Sequence, residues 1–267
     1  MDAYRRNNLA LWNEWTRINS ASSFYRLDEF KRGENKLNPL EREEVGDVRG
    51  RSLLHLQCHF GMDTLSWARL GAKVTGVDFS DQAIRLAQSL SAELALPARF
   101  LCCDIYDLPQ YMDEQFDIVY TSYGVLSWLS DIPAWGKLVA KYVKPGGFFY
   151  IAEFHPAAMI FDDTTTEMRL GYPYFSKEVL KFAVQGSYAD LDAECAVNDE
   201  YNWQYTLGEV VTSLLDAGLS LEYLHEFPYT VYQQLPCLRP IDEHYWAQAE
   251  GQPQIPLMFS IKAKKTA

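Results

Sequence analysis

Hydrophobic and polar positions along this chain switch repeatedly between two periods, and the switches mark out alternating strands and helices. Residues 52–56 (SLLHL) form a short apolar run, residues 57–61 (QCHFG) break it as a turn, and residues 63–70 carry helical spacing until Gly71. A β-branched run from Lys73 to Val77 follows and ends on Asp78. Ser80 then reads as the N-cap of a helix reaching about Leu94, with Ala83, Ile84, Ala87, Leu90 and Leu94 on one face and Pro97 beyond it. ARFLCC (98–103) and FDIVYTS (116–122) predict the third and fourth strands, and residues 148–153 a fifth, after a turn at Lys144-Pro145-Gly146-Gly147. In residues 206–217, Leu207, Val210, Val211, Leu214 and Leu215 follow the i, i+3, i+4, i+7, i+8 spacing, and Gly218 stops the helix. Residues 220–227 and 257–262 predict a closing antiparallel pair of strands joined by a long connection.

Two stretches stand outside this rhythm. Residues 1–50 carry Leu9, Trp12, Trp15 and Ile18 near helical spacing and read as a helical cover, packed on the sheet or closing over a ligand. Residues 155–205 are too long for a simple connection, and their partial alternation predicts a small β-containing cap over the carboxyl ends of the strands. The organisation expected is one domain over 1–267: cover 1–50, ligand-binding core 51–154, cap 155–205, and completion of the sheet over 206–267.

Residues 51–80 therefore read as strand, turn, helix, strand and terminal carboxylate, which is half of a nucleotide-binding fold. Ligands in such folds sit beyond the carboxyl ends of the parallel strands, with an acid about 20 residues past the first turn taking ribose hydroxyls. Asp78 lies 21 residues after Gln57 and fits that role. The turn holds one glycine, Gly61, where a dinucleotide fingerprint needs three, and Asp63 in the first helical turn would repel a phosphate docking there. The expected ligand is an adenosine without phosphates.

The run resembles the class I S-adenosylmethionine-dependent methyltransferases, whose first strand and turn read acidic-x-Gly-x-Gly-x-Gly. The matching positions here are His55, Gln57, His59 and Gly61. LHLQCHFGMDTLSWARLGA is similar to a bacterial subgroup of small-molecule methyltransferases with a Gln-Cys-His-Phe-Gly turn, and the Lys-Pro-Gly-Gly turn also resembles the family's. The resemblance implies an α/β, Rossmann-like, doubly wound seven-stranded sheet, mostly parallel with an antiparallel last strand, plus the cap insertion. It implies S-adenosylmethionine as cofactor, Asp104 and Ile105 at the adenine, and Tyr25 as an aromatic wall from the N-terminal cover. Gln57, Cys58, His59, Gly61, Asp78, Phe79, Ser80, Thr121 and Ser122 complete the implied cofactor set. His59 either braces the loop or, as we expect, reaches the carboxylate of the methionine portion beside Gln57.

Methyl transfer from a sulfonium needs little beyond orientation, and a general base matters only for a hydroxyl or acidic C–H acceptor. His155, just past the fifth strand, is the candidate base; the alternative is a histidine hydrogen-bonded in the loop before Pro156. Tyr123, Trp128 and Trp203 are the candidate substrate residues, and Trp135, Tyr229 and Tyr232 fall in segments expected to border the same pocket, favouring an apolar or aromatic acceptor.

Charge and composition narrow the partners. A net charge of −12 disfavours nucleic acid, which needs clustered Lys and Arg, and favours a small-molecule substrate. No apolar run approaches a membrane span and the N-terminus lacks an apolar signal core, so no membrane partner and a cytoplasmic location are expected. Five cysteines without C-x-x-C pairing are expected to be reduced, and His55 and His59, on a strand and a turn, are not expected to hold a metal. Oligomeric state is not encoded in these patterns. Two other functions stay open: a nicotinamide-dependent oxidoreductase and a non-catalytic binder of an adenosyl ligand.

Overall fold

The structure is a computed structural model that describes residues 1–266, so the last position of the 206–267 segment lies outside it. Three N-terminal helices, α1 (Ala3–Ala21), α2 (Leu27–Lys31) and α3 (Pro39–Val45), precede β1 (Ser52–Leu56). Then come α4 (Met62–Arg69), β2 (Lys73–Asp78), α5 (Asp81–Glu93), β3 (Ala98–Cys102), β4 (Phe116–Ser122), α6 (Ile132–Tyr142) and β5 (Val143–Phe154). The cap carries β6 (Leu180–Ala183) and β7 (Asp199–Asn202); α7 (Leu207–Asp216) and β8 (Leu219–Phe227) return to the main body. Short strands β9 (Tyr229–Thr230), β10 (Arg239–Pro240) and β11 (Trp246–Ala247) precede the closing β12 (Met258–Lys265).

One seven-stranded sheet organises the molecule, in the order β3-β2-β1-β4-β5-β12-β8. β1 to β5 run parallel, and β12 inserts antiparallel between β5 and β8. The order reverses between β1 and β4, so the carboxyl ends of these strands splay apart there and leave a crevice. The central strands read as continuous apolar runs because helices cover both faces: Leu53, Leu54, Ile118, Val119, Phe149 and Ile151 are fully buried. α7 forms where the heptad-like spacing put it, and a capping box between Thr206 and Glu209 starts it.

Three segments depart from the sequence reading. In α1 the buried side chains include Asn8, Thr16 and Asn19 besides Leu11, Trp15 and Ile18, whereas Leu9 is only half-buried. The amides are buried because the cap needs them: Asn8 donates to the Tyr201 carbonyl at 2.7 Å and accepts the Tyr201 N–H at 3.1 Å, pairing the open edge of β7 as a neighbouring strand would. Asn19 donates to the Tyr188 hydroxyl and accepts from Ser187, and the Trp15 indole N–H reaches the Gly186 carbonyl. α1 thus lies between α5 and the cap rather than flat on the sheet. β5 begins at Val143, five residues before the expected start, with a register irregularity opposite Phe116 and Ile118. The connection 230–256 folds into a three-stranded sheet, β10-β11-β9, where only a connection was expected.

Candidate functional site

The turn after β1 sets the geometry. Gln57, His59 and Gly61 all have left-handed backbone, at φ 56°, 52° and 79°. A non-glycine residue there is strained by about 1–2 kcal/mol. The turn is held in place by the Cys58 N–H, which donates to the Val77 carbonyl at 2.9 Å, and by the Gly61 N–H, which donates to the Cys58 carbonyl at 2.9 Å. Glycine is required at 61 on a second count, since a Cβ there would come within 2.9 Å of both Ala87 and Phe100.

Asp78 at the end of β2 ties this turn to the next. Its carboxylate accepts the His59 N–H at 2.8 Å and the Ser80 N–H at 2.9 Å. Burial pushes its carboxyl up to about 6, although these amides pull the other way. Asp104 after β3 caps a 3-10 turn by accepting the Tyr106 N–H at 3.0 Å, and its second oxygen accepts from the Arg5 guanidinium at 2.9 Å. Asp104 thus caps a turn and also lines the cavity, a position compatible with the adenine role that the resemblance implies. Arg5, on α1, was not singled out in the sequence because its role needs a contact 99 residues away.

The loop after β4 is pinned from β5. Glu153 is buried, and its oxygens accept the N–H groups of Gly124, Val125, Leu126 and Phe154 at 2.5–3.0 Å. Tyr123 and Gly124 in this loop have positive φ. Gln57 braces the same loop, its amide nitrogen donating to the Val125 carbonyl at 3.0 Å.

Above the strand ends these elements enclose a cavity of about 990 Å³, walled from above by α1 and the cap. A volume near the upper end for small-molecule sites leaves space for a cofactor and a second small molecule. Tyr25, Gln57, Cys58, His59, Gly61, Asp78, Phe79, Asp104, Ile105, Ser122, Tyr123, Trp128 and Trp203 all line it. The His59 ring lies edge-on to Trp12, with ring centres 5.1 Å apart, and its Nδ1 is 3.2 Å from the Tyr25 hydroxyl. Its Nε2 has no hydrogen-bond partner among the described residues. Burial pushes the imidazole down to about 3, so the ring that faces the cavity is neutral. Tyr25 also pairs hydroxyl to hydroxyl with Tyr188 of the cap, and Trp128 packs edge-on against Trp12 and Trp15.

Several expected residues face elsewhere. Ser80 is fully buried as the α5 cap, accepting the Ala83 N–H and donating to Asn13. Thr121 is fully buried and donates to the Leu56 carbonyl, while its neighbour Ser122 faces the cavity, as strand alternation requires. His155 does not line the cavity: Nδ1 accepts the Ala157 N–H at 3.0 Å and Nε2 lies 2.9 Å from Glu226 on β8. Its ring is hydrogen-bonded in the loop before Pro156, the arrangement of the alternative reading. Trp135 and Tyr229 likewise pack away from the cavity, the first in the main core and the second against Phe227 and Tyr245. Tyr232, in a segment expected to border the pocket, lines the cavity from the 230–256 connection, whereas Tyr188 and Glu200, which line it from the cap, carried no local signal.

A methyltransferase domain family matches residues 54–151, the segment holding the turn, Asp78, Asp104 and the pinned loop. Residues 54–151 are a methyltransferase domain. Within it lie the five parallel strands of the sheet from Leu54 through most of β5, whereas the cover and the cap fall outside the match. The domain is 29% identical over 121 residues to a ubiquinone biosynthesis O-methyltransferase from Chromobacterium violaceum, covering 44% of this chain and 52% of that enzyme. The chain thus spans about half the length of this curated relative. Among solved structures, a candidate S-adenosylmethionine-dependent methyltransferase from Listeria monocytogenes superposes with TM-score 0.61 at 18% identity, over 85% of this chain and 95% of that one. The glycopeptide N-methyltransferase MtfA in complex with S-adenosylmethionine gives 0.55 at 16% identity, over 85% and 86%. The chain therefore has the class I methyltransferase fold, seven-stranded and mostly parallel with the expected antiparallel last strand.

Proposed function

We propose that the protein binds S-adenosylmethionine at the β1–β4 crevice and transfers its methyl group to a small-molecule acceptor held under the cap. One observation carries the reading: residues 57, 59 and 61 adopt the left-handed backbone of a Gly-x-Gly-x-Gly turn although two of them are not glycine. Strain of this kind persists only where the surroundings hold it, and here the turn closes onto the Asp78 carboxylate and opens onto the cavity.

The donor set suits the cofactor. Asp78 would hold the ribose hydroxyls, Asp104 and the Ile105 amide the adenine, and Tyr25 with Trp12 the aromatic wall. The cofactor supplies an activated methyl on a sulfonium, so the protein's part is to align the acceptor and exclude water. Trp128, Trp203, Tyr188 and Tyr232 do the second by closing the cavity from above. With His155 turned away, a basic nitrogen or a thiolate that needs no enzymic base is the acceptor these walls support best. The net charge of −12 also supports a small molecule over a polyanion.

Calorimetric titration with S-adenosylhomocysteine and NADH, followed by transfer of a tritiated methyl group to amine, thiol and phenol acceptors, tests the reading. Binding of the adenosyl ligand with turnover is expected. NADH binding with none for the adenosyl ligand would overturn it, and adenosyl binding without transfer to any acceptor would point to the non-catalytic alternative.

A further inference from the structure

The cap hairpin presents one polar and one apolar strand to the cavity. On β7 Glu200 and Asn202 line it, and their direct cross-strand neighbours on β6, Phe182 and Leu180, line it beside them. The opposite face of the same hairpin carries Lys181 and Asp199, paired at 2.8 Å. Glu200, half-buried on the cavity face, has no such ion pair among the described residues. Desolvation pushes its carboxyl up to about 7, and the charge of Asp163, which also lines the cavity, adds to that. The Asn202 amide pulls the other way, yet its buried Nδ2 makes no hydrogen bond among the described residues. A desolvated carboxylate without a cation is destabilising, and a position opposite Phe182 would be filled more stably by an apolar side chain.

The cavity offers Glu200 no cation of its own. Every Arg and Lys that lines it is already ion-paired: Arg5 with Asp2 and Asp104, Arg26 with Glu29, and Lys36 with Glu29 and Glu34. Aromatic rings stand near the carboxylate instead. Phe182 lies opposite it and packs edge-on against Tyr172, with ring centres 5.4 Å apart, and Glu200 is one of the charges that add to the upward push burial gives the Tyr232 phenol. Gln234, two residues on from Tyr232 and also lining the cavity, donates through Nε2 to the Leu257 carbonyl at 3.5 Å. That carbonyl can only accept, so the amide orientation is set, and the buried Oε1 is left without a partner among the described residues. A carboxylate, an unpartnered amide oxygen and aromatic faces are together complementary to one kind of group, an N–H-bearing cation on an apolar carrier.

We propose that Glu200, with the rings of Phe182, Tyr172 and Tyr232, holds an ammonium group of the methyl acceptor under the cap, so that the acceptor is an amine-bearing small molecule with an apolar body. The ammonium is a handle and not the methylated atom. A protonated amine has no lone pair with which to attack a sulfonium, so the nucleophile is a second group of the same molecule. The role as acceptor rests on the methyl-transfer reading above, and the two can fail separately.

The test is a thermodynamic cycle of wild type and Glu200→Gln against benzylamine and phenylpropylamine and the alcohols of the same carbon skeletons, titrated calorimetrically with and without S-adenosylhomocysteine. A pH of about 8 keeps the Glu200 carboxyl ionised and both amines protonated. Wild type is expected to prefer each amine over its alcohol by roughly ten- to a hundredfold, the range for a hydrogen bond to a charged group, and Glu200→Gln to bind amine and alcohol within about threefold of each other. The variant's affinity for S-adenosylhomocysteine is expected to stay within about twofold of wild type, and its melting temperature to equal or exceed wild type, because an unpaired, desolvated charge is removed. Wild type that binds amine and alcohol alike, or binds none of the probes, overturns the proposal without any variant, and so does a variant that still prefers the amines by about tenfold. A variant that melts lower and weakens on every probe in equal measure assigns Glu200 to packing and overturns it too. If wild type binds no S-adenosylhomocysteine, the methyl-transfer reading falls, while the cofactor-free titrations still decide whether Glu200 holds an ammonium.

Discussion

The left-handed turn makes an unusual prediction about alanine and glycine. At most positions alanine is the more stable of the two, because glycine gains freedom in the unfolded chain; at Gln57 and His59 we expect the order to reverse. Both substitutions delete the same side chain beyond Cβ, so the difference between Gln57→Gly and Gln57→Ala isolates the backbone from the lost Val125 hydrogen bond. Left-handed backbone costs a residue with a Cβ about 1–2 kcal/mol, and the extra unfolded-state freedom of glycine returns about 0.4–1 kcal/mol of that. Glycine should therefore be the more stable by up to about 1.6 kcal/mol at 57, with a central value of about 0.8 kcal/mol, and likewise at 59. In a chain of this size that is roughly 2–4 °C per kcal/mol in melting temperature, within reach of differential scanning calorimetry and urea titration. Cys58, between them and without positive φ, is the internal control and should favour alanine. Alanine equal to or better than glycine at both 57 and 59 would refute the turn geometry and remove the observation on which the function rests.

Three further outcomes follow from the same site. Asp78 is an acid whose folded pKa, about 6, exceeds its ordinary value, so the folded state binds more protons than the unfolded one between about pH 4 and 6 and this group's contribution to stability falls as pH rises through that window. Asp78→Asn should accordingly gain on wild type by about 3 kcal/mol between pH 4 and 7 in denaturant titrations; a difference flat in pH would contradict the burial argument. Glu153→Gln leaves one oxygen for four backbone amides and should lower stability by about 2–4 kcal/mol by thermal melt, whereas a loss under about 1 kcal/mol would mean the loop is held some other way. His155→Gln should leave the affinity for S-adenosylhomocysteine within about twofold, and a tenfold loss by calorimetry would return this histidine to the site.

Much of the architecture was legible because it is local. The β1, β2 and β4 runs are largely buried on both faces, β3 is a half-exposed edge strand, and Asp78, Asp104 and Ser122 stand at or just past strand ends whose position follows from the run length alone. What escaped depends on direction or on distance. Thr121 and Ser122 are adjacent, and only the pairing of β4 with β1 shows that the first satisfies Leu56 and the second faces the cavity. His155 stands just past a strand end, as a base would, but its ring turns toward β8, a partner 71 residues later. Asn8 and Asn19 are buried because the cap, more than 160 residues on, offers them partners: the Tyr201 backbone for Asn8 and the Ser187 and Tyr188 hydroxyls for Asn19. Gln57 and His59 were read as replacements for glycine in chemistry, and the backbone shows that they keep the glycine conformation as well.

A crystal structure with S-adenosylhomocysteine bound tests the account most directly. The account places the ribose hydroxyls on the Asp78 carboxylate, the adenine beside Asp104 and Ile105, and the amino-acid portion along the 57–63 turn. A ligand bound elsewhere, or bound here with Asp78 still turned only to the His59 and Ser80 amides, would contradict it.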